Sequence, residues 1–207
     1  MKRQLWALAA VCMMATAACM PVTAPETGQS VTPATDHATP ANEQTAAIAC
    51  SGELTSRNQE GPYYMTGSPQ RDSLIDPGMP GLPILIFGRV VNQDCAPIAG
   101  AKVDFWQTDA EGRYDNSGYT LRGHTIAVED GAYTIETIEP APYPGRPAHI
   151  HVKVFAPDGR ELLTTQLYLP GTEGSADVRA APDLLIAYTG QDENGRQLAP
   201  FDFIVRR

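Results

Sequence analysis

The run His149-Ile150-His151-Val152-Lys153-Val154-Phe155 alternates polar and apolar residues. A period of two predicts a strand whose Ile150, Val152 and Val154 face a core, while His149, His151 and Lys153 share the opposite face. Two imidazoles two residues apart on one strand face can converge on a single metal ion. Alone, such a pair is more often a surface or hydrogen-bonded pair of histidines, and Lys153 reads most simply as a solvated lysine. The other chemistry-bearing residues also have plain readings one at a time. Tyr114 and Tyr143 read as half-buried loop aromatics, Arg146 as a surface ion-pair member, and Trp106 as core. His124, in Arg122-Gly123-His124, has little to tie it to the pair.

The surrounding sequence predicts short strands and turns. Ile84 to Asn92 is β-branched and apolar, and Gln93 to Pro97 follows as a turn. Ala101 to Thr108 alternates. His124 to Val128 and Ala132 to Ile138 flank Glu129-Asp130-Gly131, a hairpin signature. The Pro-rich stretch from Pro140 to Pro147 suits neither a helix nor a central strand. Leu162 to Leu169 returns after the turn Pro157-Asp158-Gly159, and Leu184 to Tyr188 and Phe201 to Val205 read as two last strands. With 18 Gly and 18 Pro in 207 residues and no long amphipathic run, a helix bundle is excluded. The fold class expected is all-β, an antiparallel β-sandwich of about seven to nine short strands.

The chain carries 15 Lys+Arg against 24 Asp+Glu, a formal charge of −9, which argues against a nucleic-acid partner. Residues 1–19 read as an export signal, with Lys2 and Arg3 before an uncharged apolar stretch from Leu5 to Ala18 that is too short to span a bilayer. Thr16-Ala17-Ala18-Cys19 resembles a bacterial lipobox in which Cys19 would carry lipid, although Thr16 stands where Leu is usual. Cleavage after Ala15-Thr16-Ala17 is the rival reading. Both export the protein to the bacterial cell envelope, and any membrane contact would run through the N-terminal lipid. Residues 20–49, rich in Thr, Pro and Ala, have no apolar periodicity and read as a disordered tether, with His37 solvated within it. Residues 50–207 are long enough for a core of their own. Of the four cysteines, Cys50 and Cys95 fall in this part. In an oxidising compartment they suggest a disulfide worth about 4 kcal/mol in the chain-entropy account, with two free buried thiols as the alternative.

Four blocks, read together, are specific. Pro140-Ala141-Pro142-Tyr143-Pro144-Gly145-Arg146-Pro147-Ala148-His149-Ile150-His151 resembles the metal-binding signature of the intradiol ring-cleavage dioxygenases. Trp106-Gln107-Thr108-Asp109-Ala110-Glu111-Gly112-Arg113-Tyr114 resembles that family's stretch bearing its first tyrosine ligand. Glu60-Gly61-Pro62-Tyr63-Tyr64 resembles its leading motif, and Leu163 to Tyr168 the segment with its active-site glutamine. The likeness runs, in order, from about Cys50 to Tyr168.

The resemblance implies one Fe(III) per chain held by Tyr114, Tyr143, His149 and His151, with a solvent hydroxide as fifth ligand. Phenolates are hard anionic donors that suit ferric iron, whereas two histidines and a carboxylate are expected around Fe(II). Ionising a phenol at pH 7 costs roughly 4 kcal/mol, which a trivalent cation offsets. The substrates implied are a small aromatic diol of the catechol type and O2. The diol binds through both oxygens and displaces Tyr143, and cleavage between the two hydroxylated carbons gives a muconate-type diacid. The resemblance assigns Arg146 to stabilising negative charge beside the ring and Gln166 to orienting substrate or oxygen. Tyr63 and Tyr64 would either touch substrate or pack at a strand edge.

Only five residues separate Tyr143 from His149, where many members carry a longer loop, which leaves the preferred ring substituent open. There is no helical N-terminal extension of the catechol-cleaving kind, so the core looks more like the iron-bearing subunit of the protocatechuate branch or the exported single-chain members. All four ligands lie in one chain, so a partner is not required for iron, and a homo-oligomer is left open. Two alternatives stand beside this. Gly88-Arg89-Val90 with Pro97 to Ala101 and Asp109 to Tyr114 also resembles transthyretin-like and carboxypeptidase-regulatory-like modules, which would make the chain a non-catalytic surface lipoprotein. Zinc or copper on the two histidines would leave both tyrosines unexplained.

Overall fold

The computed structural model describes residues 50–207. The export segment, the tether, His37 and Cys19 lie outside the described residues. Among the described residues there are eight strands: β1 (Pro83–Asn92), β2 (Lys102–Gln107), β3 (Arg122–Ile126), β4 (Ala132–Ile138), β5 (His149–Phe155), β6 (Glu161–Tyr168), β7 (Gln197–Pro200) and β8 (Phe203–Val205). They form two sheets, one ordered β3-β2-β5-β6 and the other β4-β1-β7, with β8 also on β1. Ile84, Ile86 and Ile135 from one sheet meet Val103, Phe105, Ile150, Val152 and Val154 from the other in one core. This is the expected all-β sandwich. One short helix, α1 (Ala176–Ala180), is capped by the Ser175 side chain accepting from Val178 N.

Three local expectations are corrected. Glu129-Asp130-Gly131 does turn the chain, with Gly131 at φ 82°, but β3 pairs with β2 and β4 with β1, so the turn is an arch between sheets, not a hairpin. The Gly131 carbonyl accepts from Val90 N, and a Cβ there would lie 2.6 Å from the Val90 carbonyl. The turn is thus seated on β1 and passes the chain across. Leu184 to Tyr188 is not a strand. Pro182, which has no N–H to give a ladder, opens a 3₁₀ turn through Leu184, and a single bridge joins Leu185 to Tyr168. The sandwich is also not wholly antiparallel, because β7 and β8 both run parallel to β1. β1 changes partner around Gly88, where a Cβ would run into the Phe201 carbonyl, so only glycine lets the chain pass that closely.

Register on the β3-β2-β5-β6 sheet positions the chemistry. On the face turned away from the core, Arg122, Trp106, His151 and Gln166 form one row across the four strands. His124, Asp104, Lys153 and Thr164 form the next. The segment from Ser56 to Tyr64 lies over this face. Asn58 N donates to the Thr164 carbonyl, and Gln166 Nε2 donates to the Gln59 carbonyl. The alternation of β5 is therefore real, but its polar side is covered and not solvated. Lys153 accordingly is not a solvated lysine. It is 6% exposed and held between Glu60 at 2.6 Å and Glu161 at 2.9 Å.

Candidate metal centre

His149 and His151 are 2% and 1% exposed, and their Nε2 atoms stand 3.1 Å apart. His149 Nδ1 donates to the Pro147 carbonyl at 2.7 Å. Since a carbonyl only accepts, the proton sits on Nδ1 and the Nε2 lone pair points toward His151. Burial pushes the His149 imidazole down to about 4, with the Arg146 charge adding to it against the Pro147 hydrogen bond. Burial, then the neighbouring His149 and Arg146, push His151 lower still. Both rings are therefore neutral at pH 7, the form that gives a lone pair to a metal. Trp106 lies flat on His151 with ring centroids 4.7 Å apart and planes 10° from parallel. Gly61 also approaches the ring closely, and an added Cβ there would lie 3.3 Å from His151 Cε1.

Tyr114 stands in the loop between β2 and β3, between two turns built on aspartates. Asp109 Oδ1 accepts from Glu111 N and Arg113 N ahead of it, and Gly112 at φ 78° tucks under the Pro142 carbonyl. After it, Asp115 accepts from the amides of Ser117, Gly118 and Thr120. So fixed, the Tyr114 oxygen stands 3.0 Å from His151 Nε2. Burial raises its phenol well above the ordinary value, the Tyr143 phenol adds to that, and Arg146 and Arg122 oppose it.

Tyr143 opens the turn Tyr143-Pro144-Gly145-Arg146, closed by Arg146 N donating to the Tyr143 carbonyl. Pro at the second position and Gly145 at φ 81° in the third suit a type II turn. The ring sits 5.5 Å from that of His149 and 5.9 Å from that of Tyr114. Arg146 points inward, with Nε donating to Asp177 at 2.9 Å and Nη2 to Gln166 Oε1 at 2.6 Å. Gln166 Oε1 also accepts from the Tyr168 hydroxyl, and its Nε2 donates to the Gln59 carbonyl and lies 3.4 Å from His151 Nδ1. Its amide is thus engaged at both ends within the protein.

The fold brings Tyr114, Tyr143, His149, His151, Arg146 and Gln166 together. Tyr63 stacks on Tyr114 with centroids 4.3 Å apart, and the Tyr64 hydroxyl donates to Asp104. Both lie in the irregular covering segment and not at a strand edge. His124 stays outside the cluster, on Ser68. Cys50 and Cys95 are joined by a disulfide, with Cα atoms 5.9 Å apart. Sequence reasoning missed Arg122, Asp104 and Asp177. A Ser-x-Asp helix start signals α1, but nothing in the sequence ties Asp177 to Arg146, and Arg122 shows itself only through the strand register.

The donor set fits a hard cation. Two donors bound at about 2.1 Å and roughly at right angles stand about 3.0 Å apart. The separations of His149 Nε2 from His151 Nε2 and of His151 Nε2 from Tyr114 are 3.1 and 3.0 Å. Among the described residues no group of three or more His, Cys, Asp or Glu side chains gathers to hold a metal, and the side chains standing against the two histidines are the phenols of Tyr114 and Tyr143. Phenols kept protonated by burial ionise only against a strong positive charge.

Residues 59–206 match the family model described as Dioxygenase. The chain is 31% identical over 176 residues to a chlorocatechol 1,2-dioxygenase of Pseudomonas sp. (strain P51), covering 72% of this chain and 69% of that one. It is 30% identical over 146 residues to a hydroxyquinol 1,2-dioxygenase of Nocardioides simplex, covering 59% of this chain and 50% of that one. It thus spans between half and about two thirds of the length of these curated relatives. The structure is similar to the dioxygenase domain of a dioxygenase–carbohydrate-binding protein fusion from the cellulolytic bacterium Streptomyces sp. SirexAA-E. There the TM-score is 0.66 at 40% identity, covering 74% of this chain and 99% of that one. The chain therefore belongs to the intradiol ring-cleavage dioxygenase family.

Proposed function

We propose that Tyr114, Tyr143, His149 and His151 hold one ferric ion per chain, and that the site cleaves catechol-type aromatic diols between the two hydroxylated carbons with both atoms of O2, yielding a muconate-type diacid. The observation that carries this reading is the convergence on His151 Nε2 of a second neutral imidazole, His149 Nε2 at 3.1 Å, and the Tyr114 oxygen at 3.0 Å. Bound there, the ion supplies a Lewis acid and electron acceptor for the diolate.

The chain's own residues do the rest. His149 is oriented through Pro147, and His151 is held by the flat contact with Trp106 and the close approach of Gly61. Tyr143 sits on a turn whose Pro144 and Gly145 are exposed, so it is the phenol best able to move aside, and its oxygen is where a substrate proton is taken up. Arg146, anchored by Asp177 and Gln166, presents a fixed cation where negative charge develops on the ring. Gln166 acts by holding Arg146 and His151. The covering segment from Ser56 to Tyr64 keeps water off the histidine face.

The test is a visible spectrum of the purified chain loaded with ferric iron, before and after catechol is added without oxygen. A broad tyrosinate-to-iron absorption that moves to longer wavelength with catechol supports the reading. A protein that stays colourless hands the fold to a non-catalytic sandwich module.

The same proposal takes residues 1–19 as an export signal, 20–49 as a tether and 50–207 as the catalytic unit in the bacterial cell envelope. The Cys50–Cys95 disulfide supports an oxidising compartment. The mass of the N-terminal peptide decides whether Cys19 carries lipid or the chain is cut after Ala17.

A further inference from the structure

Arg122 has an environment that packing does not account for. It is 1% exposed, yet no carboxylate pairs with its guanidinium among the described residues. Its Nε donates to the Asp115 carbonyl at 2.9 Å and its Nη1 to the Tyr63 carbonyl at 2.6 Å. Nη2 is buried with no partner. A buried cation without an anion is costly, and Met or Leu would fill the same volume without that cost.

The two nearby carboxylates are already committed. Asp115 accepts from the three backbone amides of its own turn. Asp104 accepts from Ser68 and Tyr64 and pairs with Lys102 at 3.5 Å. Two tyrosines also act on its charge: Tyr119 donates its hydroxyl to the Thr66 carbonyl, and Tyr114 has its ring 5.9 Å from the guanidinium carbon. The two carbonyls that Arg122 grips are also telling. One belongs to Asp115, the residue after Tyr114, and the other to Tyr63, whose ring stacks on that of Tyr114 at 4.3 Å. Arg122 therefore grips both the loop that carries Tyr114 and the residue whose ring stacks on it.

Resting on the ferric-tyrosinate reading above, we propose that Arg122 is a positioning residue for Tyr114 and the permanent counter-charge of its phenolate. The positive charge is stored in the protein before the metal arrives, so charge on the Tyr114 oxygen is shared between the metal and Arg122.

The experiment compares the full chain with Arg122→Lys and Arg122→Gln after ferric loading, reading iron content, thermal stability and the position of the tyrosinate-to-iron absorption. Removing a nearby cation raises the energy of the phenolate electrons. Arg122→Gln is therefore expected to bind less iron and to absorb at longer wavelength than the wild type, with Arg122→Lys close to wild type. An Arg122→Gln protein that binds iron with an unmoved absorption maximum overturns the proposal and leaves Arg122 a structural clamp. If Arg122→Gln does not fold, Arg122→Met decides, because it removes the charge while filling the same buried volume. A maximum displaced to longer wavelength in Arg122→Met supports the counter-charge, and an unmoved one overturns it. A colourless wild type fails the ferric reading itself, and this proposal falls with it; a coloured wild type with unshifted variants fails this proposal alone.

Discussion

Arg146 Nη2 donates to Gln166 Oε1 at 2.6 Å, so two residues expected to act separately form one unit, closed on the far side by Asp177. The cation is held in place before substrate arrives, which is what makes a fixed charge effective in a water-poor site.

Arg146→Ala is expected to keep iron and lower kcat by about 100-fold or more, the scale of removing one preorganised stabilising group. Gln166→Leu should cost less, because Asp177 still holds Arg146. Iron content and steady-state rates on catechol check both, and an Arg146→Ala enzyme of wild-type rate would sink the assigned role.

Tyr114→Phe and His151→Ala each remove a donor from the cluster in which His151 Nε2 stands 3.1 Å from His149 Nε2 and 3.0 Å from the Tyr114 oxygen. Both are expected to lose iron on desalting while remaining folded. Metal analysis alongside circular dichroism separates loss of the site from loss of the fold.

The Asp115 carboxyl is held below its ordinary 3.8 by the amides of Ser117, Thr120 and Gly118. Its folded value lies below its unfolded one, so its contribution is fully present above pH 3.8 and fades as pH falls through the folded value. Thermal melts of the wild type at descending pH should show stability falling below about pH 4, and Asp115→Ala should lose part of that dependence. An identical acid profile in the variant would refute the role.

Breaking the Cys50–Cys95 bond is expected to cost about 4 kcal/mol in the chain-entropy account, or about 8–16 °C in Tm for a domain of this size. Melts with and without reductant, and of Cys95→Ser, measure it. Equal melting temperatures would show that the reduced chain retains the same closure.

Lys153→Met removes the cation from between Glu60 and Glu161 and strips the cover from its tie to β5. Because both carboxylates are partly exposed, the cost should be modest, about 1–2 kcal/mol. Urea unfolding of Lys153→Met against Lys153→Arg measures it, and a larger loss in the Arg variant would contradict the account.

Much of this was legible in the chain before any coordinates. Alternation in β5 put His149 and His151 on one face because side-chain direction along a strand has a period of two, whatever the strand pairs with. Turn chemistry is equally local. Pro144 and Gly145 specify the bend that carries Tyr143, and Glu129-Asp130-Gly131 turns as its residues require. Where that last turn leads was not local, and the expected hairpin became an arch because Gly131 packs against Val90. Lys153 was misjudged for the same kind of reason, since exposure depends on a covering segment some 90 residues earlier in the chain.

The sequence by itself determined the class of fold, the pairing of His149 with His151 on one strand face and the turn that carries Tyr143, because period, β-branching and Pro-Gly chemistry act over a few neighbouring residues. Only the tertiary structure decided that Arg122, Trp106, His151 and Gln166 form one row across four strands. It alone brought Asp177 to Arg146 and buried Arg122 beneath Tyr114. Strand register and burial come from how distant segments pair and pack to fill one core, and no residue carries that information alone.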